Sequence, residues 1–366
     1  MVTDDTEAAR VLRVVEVIEE TAEAHSVVFE IPDDAKAAFE YTPGQFLTLA
    51  VPSTETGIAA RCYSLSSAPH TGIHQITVKR TADGYASNWI CDNLSAGDTI
   101  RVLPPSGIFT PKDLNADFLL FAAGSGITPV ISIARSALET GSGKVVLFYA
   151  NRDEKSVIFA EALADLASKY TDRFVLVHWL ESVQGLPTPQ HLQHFASHFL
   201  SYTAFACGPA PFMKGAVEAL RALDFPRERR HQEKFVSLGG NPFGDVEEMQ
   251  AAQAIIKEAD DHDEEDDAKT TVEGPISVEV ELDGQTHLFD DWDGKKLLLE
   301  FFEEKGLEAP YSCREGNCSA CACVVTEGEV TMDHNEVLDA DDLADGIRLV
   351  CQARAASQTL KISYNG

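Results

Sequence analysis

Four cysteines near the end of the chain stand at one spacing. Cys313, Cys318 and Cys321 share a single loop, and Cys351 follows thirty residues later. The pattern C-x4-C-x2-C…C is the plant-type [2Fe–2S] spacing. Two irons bridged by sulfide require four thiolates in two pairs, three from one loop folded round the cluster and a fourth from a distant strand. Gly316 allows the loop to turn tightly, and Ser319 and Ala320 are small enough to let the chain pass close. A structural zinc site usually uses repeated short pairs such as C-x2-C. Here one interval is C-x4-C and the fourth ligand stands alone. Cys323 lies outside the spacing and reads as a buried small apolar residue. Cys62 and Cys91 receive the same reading.

A cluster loop of this kind occupies only a small domain, and the chain has 366 residues. Two or three cores are expected in that length. Short strand-like runs separated by turn residues fill the first hundred positions, among them Val11–Ile18, Ser26–Ile31, Gln45–Val51, Ile73–Lys79 and Thr99–Leu103. They predict an antiparallel barrel. At Phe118–Ala123 the pattern becomes a continuous apolar run, as in a strand buried on both faces. Strands at Val145–Ala150, Phe174–Leu180 and Tyr202–Cys207 then alternate with helical stretches at Ser156–Lys169, Pro189–His198 and Pro211–Leu223, which predicts a parallel α/β sheet. From Ile276 a small α+β pattern begins, with a hairpin turn at Asp283-Gly284 and a helix over Lys296–Lys305. The expected organisation is an antiparallel barrel over 8–112, a parallel α/β domain over 113–240, an acidic linker over 241–274 and a [2Fe–2S] domain over 275–366. In the linker, Asp245–Lys257 is expected to form a short helix. Glu258–Asp267 is a like-charge block that repels itself into a tether.

The net charge is −30, with a pI near 4.6, which argues against nucleic acid and anionic membrane surfaces as partners. No stretch approaches the ~20 apolar residues that span a bilayer. The acidic start Met1–Asp5 lacks a signal pattern, so a cytoplasmic protein is expected.

Two further segments carry chemistry. Arg61-Cys62-Tyr63-Ser64 offers a cation for phosphate, an aromatic for a ring system and a hydroxyl for its reactive edge. Read alone, such a tetrapeptide is more often an ordinary strand, and the downstream context is what points to chemistry. Val78-Lys79-Arg80 adds cationic groups, and Gly84-Tyr85-Ala86-Ser87 opens a helix whose N-terminus can seat a pyrophosphate. The alternative there is a capped surface helix. Gly124-Ser125-Gly126-Ile127-Thr128-Pro129 follows a buried strand and precedes a helix, the setting that dinucleotide phosphate binding requires. Cys207-Gly208-Pro209 ends a later strand, on the side of the sheet where ligands bind. His191, His194 and His198 share helical spacing without a fourth ligand and read as solvated or capping residues.

In this order, R-x-Y-S, G-S-G-I-T-P, C-G-P and C-x4-C-x2-C…C, the motifs resemble the ferredoxin–NADP reductase superfamily fused to a C-terminal β-grasp ferredoxin domain. Arg61–Leu65, Val78–Trp89 and Ser312–Gly316 are most similar to the reductases of 3-ketosteroid 9α-hydroxylases, with the phenylacetyl-coenzyme A epoxidase reductases as relatives. The resemblance implies FAD, NADH and a [2Fe–2S] cluster as redox groups. It implies a Rieske-type terminal oxygenase as partner, and a monomer. Arg61 and Ser87 would hold the FAD pyrophosphate, Tyr63 would pack on the isoalloxazine, and Ser64 would lie near flavin N5. Val78, Lys79, Gly84 and Ala86 complete the flavin segment. Gly124, Gly126 and Thr128 would hold the nicotinamide dinucleotide, with Cys207, Gly208 and Pro209 beside the nicotinamide. In Asn151-Arg152-Asp153, Asp153 would repel a 2′-phosphate and Arg152 would attract one. His231–Phe235 resembles the closing segment of the family, which would bring Glu233 and Phe235 toward the flavin.

Overall fold

The computed structural model describes residues 9–243 except 55, 83, 237, 239 and 240, together with 272, 275–282 and 284–364. The helix expected over Asp245–Lys257 and the acidic block Glu258–Asp267 lie outside the described residues.

Six strands build the first domain: β1 (Arg10–Thr21), β2 (Ala24–Glu30), β3 (Phe46–Ser53), β4 (Gly57–Ser64), β5 (His74–Lys79) and β6 (Thr99–Ser106). They pair in the order β4-β3-β6-β1-β2-β5, every neighbour antiparallel. A bridge between Leu65 and Ile76 brings the two outer strands together, as closure of a barrel requires. Leu12, Val27, Leu47, Leu49, Ile76 and Val102 fill the interior. Sequence reading offers only the Arg61–Ser64 end of β4 as a strand, because the Gly-Ile-Ala-Ala run before it shows no clear alternation. Helix α1 (Tyr85–Asn93) sits against the barrel through Ala86 and Ile90.

The second domain is a parallel sheet in the order β11-β10-β7-β8-β9, formed by β7 (Phe118–Ala123), β8 (Val145–Asn151), β9 (Phe174–Leu180), β10 (Thr203–Cys207) and β11 (Arg230–Glu233). All six residues of β7 are buried, because helices cover both faces of the sheet. Helices α2 (Ile127–Thr140) and α3 (Ala160–Lys169) cover one face. After a short helical turn, α4 (Glu181–Gln184), helices α5 (Pro189–Ala196) and α6 (Ala210–Ala222) cover the other. The helix expected from Ser156 begins at Ala160 instead. The Asp153 carboxylate caps a 3-10 turn over Glu154–Ser156, and Phe159 takes a left-handed φ of 62° that breaks continuity. β11 has no signature in the sequence, because Arg-His-Gln-Glu carries no apolar pattern. It forms by pairing with β10.

The third domain has β12 (Ile276–Leu282), β13 (Gln285–Trp292), helix α7 (Leu298–Glu304), β14 (Ala322–Glu327), β15 (Val330–Met332), helix α8 (Ala340–Ala344), β16 (Ile347–Leu349), β17 (Ala353–Ala355) and β18 (Thr359–Ser363). The mixed sheet β13-β12-β18-β14-β16 has β12 and β18 parallel at its centre, and α7 packs Phe301 and Phe302 into the same core as Trp292.

Each pair of domains meets through defined contacts. The Ser132 hydroxyl and Arg135 guanidinium of α2 donate to the Ser67 and Ser66 carbonyls of the barrel at 2.5 and 3.0 Å. Asp341 of α8 accepts from Arg221 at 2.8 Å and from Arg230 at 3.0 Å, and Arg227 reaches Asp342. Thr48 of the barrel meets Ser312 of the third domain, hydroxyl to hydroxyl, at 2.6 Å.

Candidate functional site

The cysteine loop packs against the barrel. Cys313, Cys318, Cys321 and Cys351 are all buried, and Cys313 and Cys318 share an apolar cluster with Phe46, Ala60 and Leu238. Cys313 contacts Cys318 and Cys351, and Cys351 contacts Cys321. Two local amides point at the thiols. Cys313 N–H donates to Cys318 Sγ, and Glu315 N–H donates to Cys313 Sγ, each at 3.4 Å. Gly316 adopts φ +76°, and a Cβ there would lie 2.6 Å from the His334 carbonyl oxygen, so no larger residue fits this turn. Four buried thiols at this spacing, with local amides directed at sulfur, suit a two-iron cluster. Arg314 is bound by Glu303 and lies 4.0 Å from the Tyr311 ring, so its charge is locally compensated.

Sequence reasoning misses the seam beside this loop. Cys62 is half-buried rather than a core residue, with its sulfur 3.4 Å from Thr48 Oγ1 and 4.0 Å from Ser312 Oγ. Burial pushes its thiol up to about 12. Cys91 is likewise half-buried. Phe243, assigned to the linker from sequence, is buried beside the cluster loop and accepts from Arg101 through its carbonyl at 3.1 Å. No local signal marks these contacts, which join positions up to 264 residues apart.

The flavin motif lies on the same β4 strand. Arg61 donates to the Ala60 and Leu238 carbonyls at 2.6 and 2.8 Å. Tyr63 packs on the barrel core, and burial raises its hydroxyl pKa well above the usual value. Ser64 is buried. Val78 lies wholly in the core at the end of β5. At the start of α1, Ser87 accepts from Thr81 N–H at 3.1 Å and reaches back to the Gly84 carbonyl, so its hydroxyl closes the loop. A Cβ on Gly84 would lie 2.9 Å from the Thr81 Cβ. The first-turn amides of α1, including that of Ala86, have no intrahelical acceptors, and such an end suits a pyrophosphate.

Beyond β7, Gly124 turns with φ +52°, and a Cβ on Gly126 would stand 2.1 Å from the Cys207 carbonyl oxygen. Only glycine lets this loop lie against the end of β10. Gly208 is similarly hemmed by Ala123, and Pro209 is the N-cap of α6. The Thr128 hydroxyl donates to the Ser125 carbonyl at 3.1 Å. Asn151 is buried, and its carboxamide makes no well-formed hydrogen bond among the described residues. Asn151 ends β8, where a dinucleotide would pass.

Cys207 pairs in register with Glu233 across β10 and β11. Burial raises the Cys207 thiol pKa, and Glu233 adds to the effect. Burial also pushes the Glu233 carboxyl up to about 8. Glu233 in turn raises Cys62. Glu233, beside Cys207 in the sheet, lines a cavity shared with Gln45 before β3, with Phe109 after β6, and with Ser319 and Asp339 of the third domain. Phe235 stands outside this group at 50% exposure. His191 closes a capping box with Thr188.

The matches to known proteins follow the same three parts. Residues 11–110 match the oxidoreductase FAD-binding domain family, 120–218 the oxidoreductase NAD-binding domain family, and 280–356 the 2Fe-2S iron-sulfur cluster binding domain family. The chain is 54% identical over 355 residues to a 3-ketosteroid-9-alpha-monooxygenase ferredoxin reductase component of Rhodococcus rhodochrous, covering 97% of this chain and 96% of the relative. The chain belongs to the ferredoxin–NADP reductase superfamily, in the branch of oxygenase reductases with a C-terminal [2Fe–2S] domain. This reductase is also 30% identical over 369 residues to a component of the 1,2-phenylacetyl-CoA epoxidase of Escherichia coli, covering 97% of both chains. Phthalate dioxygenase reductase shares its fold with a TM-score of 0.53 at 23% identity, over 99% of this chain and all of that one. As an oxidoreductase of this family it uses FAD, NADH and a [2Fe–2S] cluster. None of the described helices is long and apolar enough to cross a membrane.

Proposed function

We propose that this reductase oxidises NADH and supplies single electrons to a Rieske-type oxygenase that hydroxylates a 3-ketosteroid at C9. The supporting observation is the 54% identity over nearly the full length of both chains, against 30% for the epoxidase component. When bound, the flavin accepts hydride and, with the cluster, converts a two-electron donor into one-electron steps.

The chain's own residues orient and seal. Gly84, Ala86 and the α1 amides, with Arg61, hold the FAD pyrophosphate, and Ser87 shapes their loop. Tyr63 backs the ring, and Ser64 directs its hydroxyl to the hydride-accepting edge. Gly124, Gly126 and Thr128 hold the NADH pyrophosphate. Cys207, beside Gly208 and Pro209, walls the nicotinamide, and Glu233 stands next to Cys207 in register on β11. Cys313, Cys318, Cys321 and Cys351 hold the cluster. The protein acts as a cytoplasmic monomer.

Reconstitution with purified candidate oxygenases tests the reading. NADH-dependent formation of 9α-hydroxylated steroid supports it. Product only with a phenylacetyl-coenzyme A epoxidase or an aromatic-ring oxygenase would replace it.

A further inference from the structure

Nucleotide selection in this fold is set past the phosphate loop, where a carboxylate favours the free ribose 2′-hydroxyl and an arginine accommodates a 2′-phosphate. Cys207 ends β10, Gly124 follows β7, and Arg152 follows β8. Neighbouring strands lie about 4.8 Å apart. A dinucleotide with its nicotinamide at β10 and pyrophosphate at β7 therefore carries its adenosine ribose past β8.

Arg152 is already engaged there. Its Nη2 donates to Glu23 Oε2 at 2.5 Å. Glu23 belongs to the barrel, in the turn between β1 and β2, and is held on its backbone. Its carbonyl accepts from Arg80 N–H at 2.7 Å, and its own N–H donates to Thr21 Oγ1 at 3.2 Å. Lys79 Nζ lies 4.0 Å from the same carboxylate oxygen and 3.7 Å from where a Cβ on Gly124 would sit, which links Glu23 to the phosphate loop. Asp153, the acidic residue singled out from sequence, uses its side chain to cap the turn over Glu154–Ser156. The carboxylate bonded to Arg152 therefore comes from the flavin domain, across the domain boundary.

We propose that Glu23 selects NADH over NADPH by occupying Arg152, the guanidinium that would otherwise receive a 2′-phosphate. A 2′-phosphate would compete with the Glu23 carboxylate for this guanidinium and meet the fields of Glu181 and Asp153, both of which act on Arg152. The free 2′-hydroxyl of NADH leaves the Glu23–Arg152 pair intact. The inference rests on the nucleotide site of the proposed function and is independent of the terminal oxygenase.

Calorimetric titration of the full-length holoprotein with AMP and with 2′-phospho-AMP tests it. Glu23→Gln is expected to tighten 2′-phospho-AMP about tenfold, the scale of one recovered charge-assisted contact, and to leave AMP within about twofold. The kcat/KM ratio of NADPH to NADH should rise in parallel. Adding Arg152→Ala should cancel the gain. Equal shifts for both nucleotides, no shift, or a gain that survives Arg152→Ala would each overturn the proposal. If Glu23→Gln does not fold, Glu23→Asp, which draws the carboxylate back by one methylene, should shift selectivity in the same direction, and an unchanged ratio overturns the proposal. Wild-type protein that binds neither nucleotide would overturn the nucleotide-site reading itself.

Discussion

Asp341→Asn should loosen the seating of the iron–sulfur domain on the nicotinamide domain and make electron arrival at the cluster slower and less dependent on salt. Asp341 accepts from two arginines, Arg221 at 2.8 Å and Arg230 at 3.0 Å, and these hold its carboxyl below the usual range. Arg230 is 13% exposed, but Asp341 and Arg221 are 31% and 48% exposed, so each pair is partly screened. At about 0.2–1 kcal/mol for such a pair, losing both costs about 1 kcal/mol, roughly a fivefold fall in the ratio of seated to unseated protein. The wild type should lose a similar amount between 0.1 and 1 M salt, where the Debye length shrinks from about 10 to about 3 Å. Stopped-flow absorbance after mixing with NADH separates flavin reduction from cluster reduction. The expected result is unchanged flavin reduction, slower cluster reduction in Asp341→Asn at low salt, and convergence with wild type at high salt. Identical salt profiles for the two proteins, or an equal fall in flavin reduction, would refute the reasoning.

Cys318→Ser should abolish cluster absorbance while NADH–ferricyanide activity persists, and loss of both with flavin still bound would count against separable domains. Ser64→Ala should slow flavin reduction by NADH, measured in a single turnover. Gly126→Ala forces a methyl group within 2.1 Å of the Cys207 carbonyl oxygen. It should lower stability by about 1–3 kcal/mol, read as a lower Tm, and weaken NADH binding. Glu233 has its carboxyl raised from 4.5 to about 8 by burial. In that window the folded protein binds more protons than the unfolded chain, so stability should fall as pH rises from about 4.5 through 8. Glu233→Gln should flatten that part of a chemical-denaturation profile.

Local chemistry makes parts of this architecture readable in advance. The Phe-Leu-Leu-Phe-Ala-Ala run is a central strand because only a strand covered on both faces tolerates six apolar residues in a row. The cysteine interval encodes the geometry of its cluster. β11 is illegible because Arg-His-Gln-Glu becomes a strand only through β10. Glu23 is illegible for a related reason. Its carboxylate meets an arginine 129 positions away, and nothing in either neighbourhood announces the other. Asp153 looks like the selecting carboxylate because it adjoins Arg152 in sequence, but its side chain is used in the turn. Periodicity and motif spacing report on single elements, whereas this site is assembled at the joins between domains.

The Thr48–Ser312 contact bears on how an acceptor reaches the cluster. The side of the iron–sulfur domain that carries Cys313 and Cys318 is pressed against Phe46 and Ala60, and one surface cannot serve two neighbours at the same moment. An acceptor that approaches from that side must take turns with the barrel. Each turnover would then include two visits, one for each electron from NADH, and the time spent between berths would count toward the overall pace.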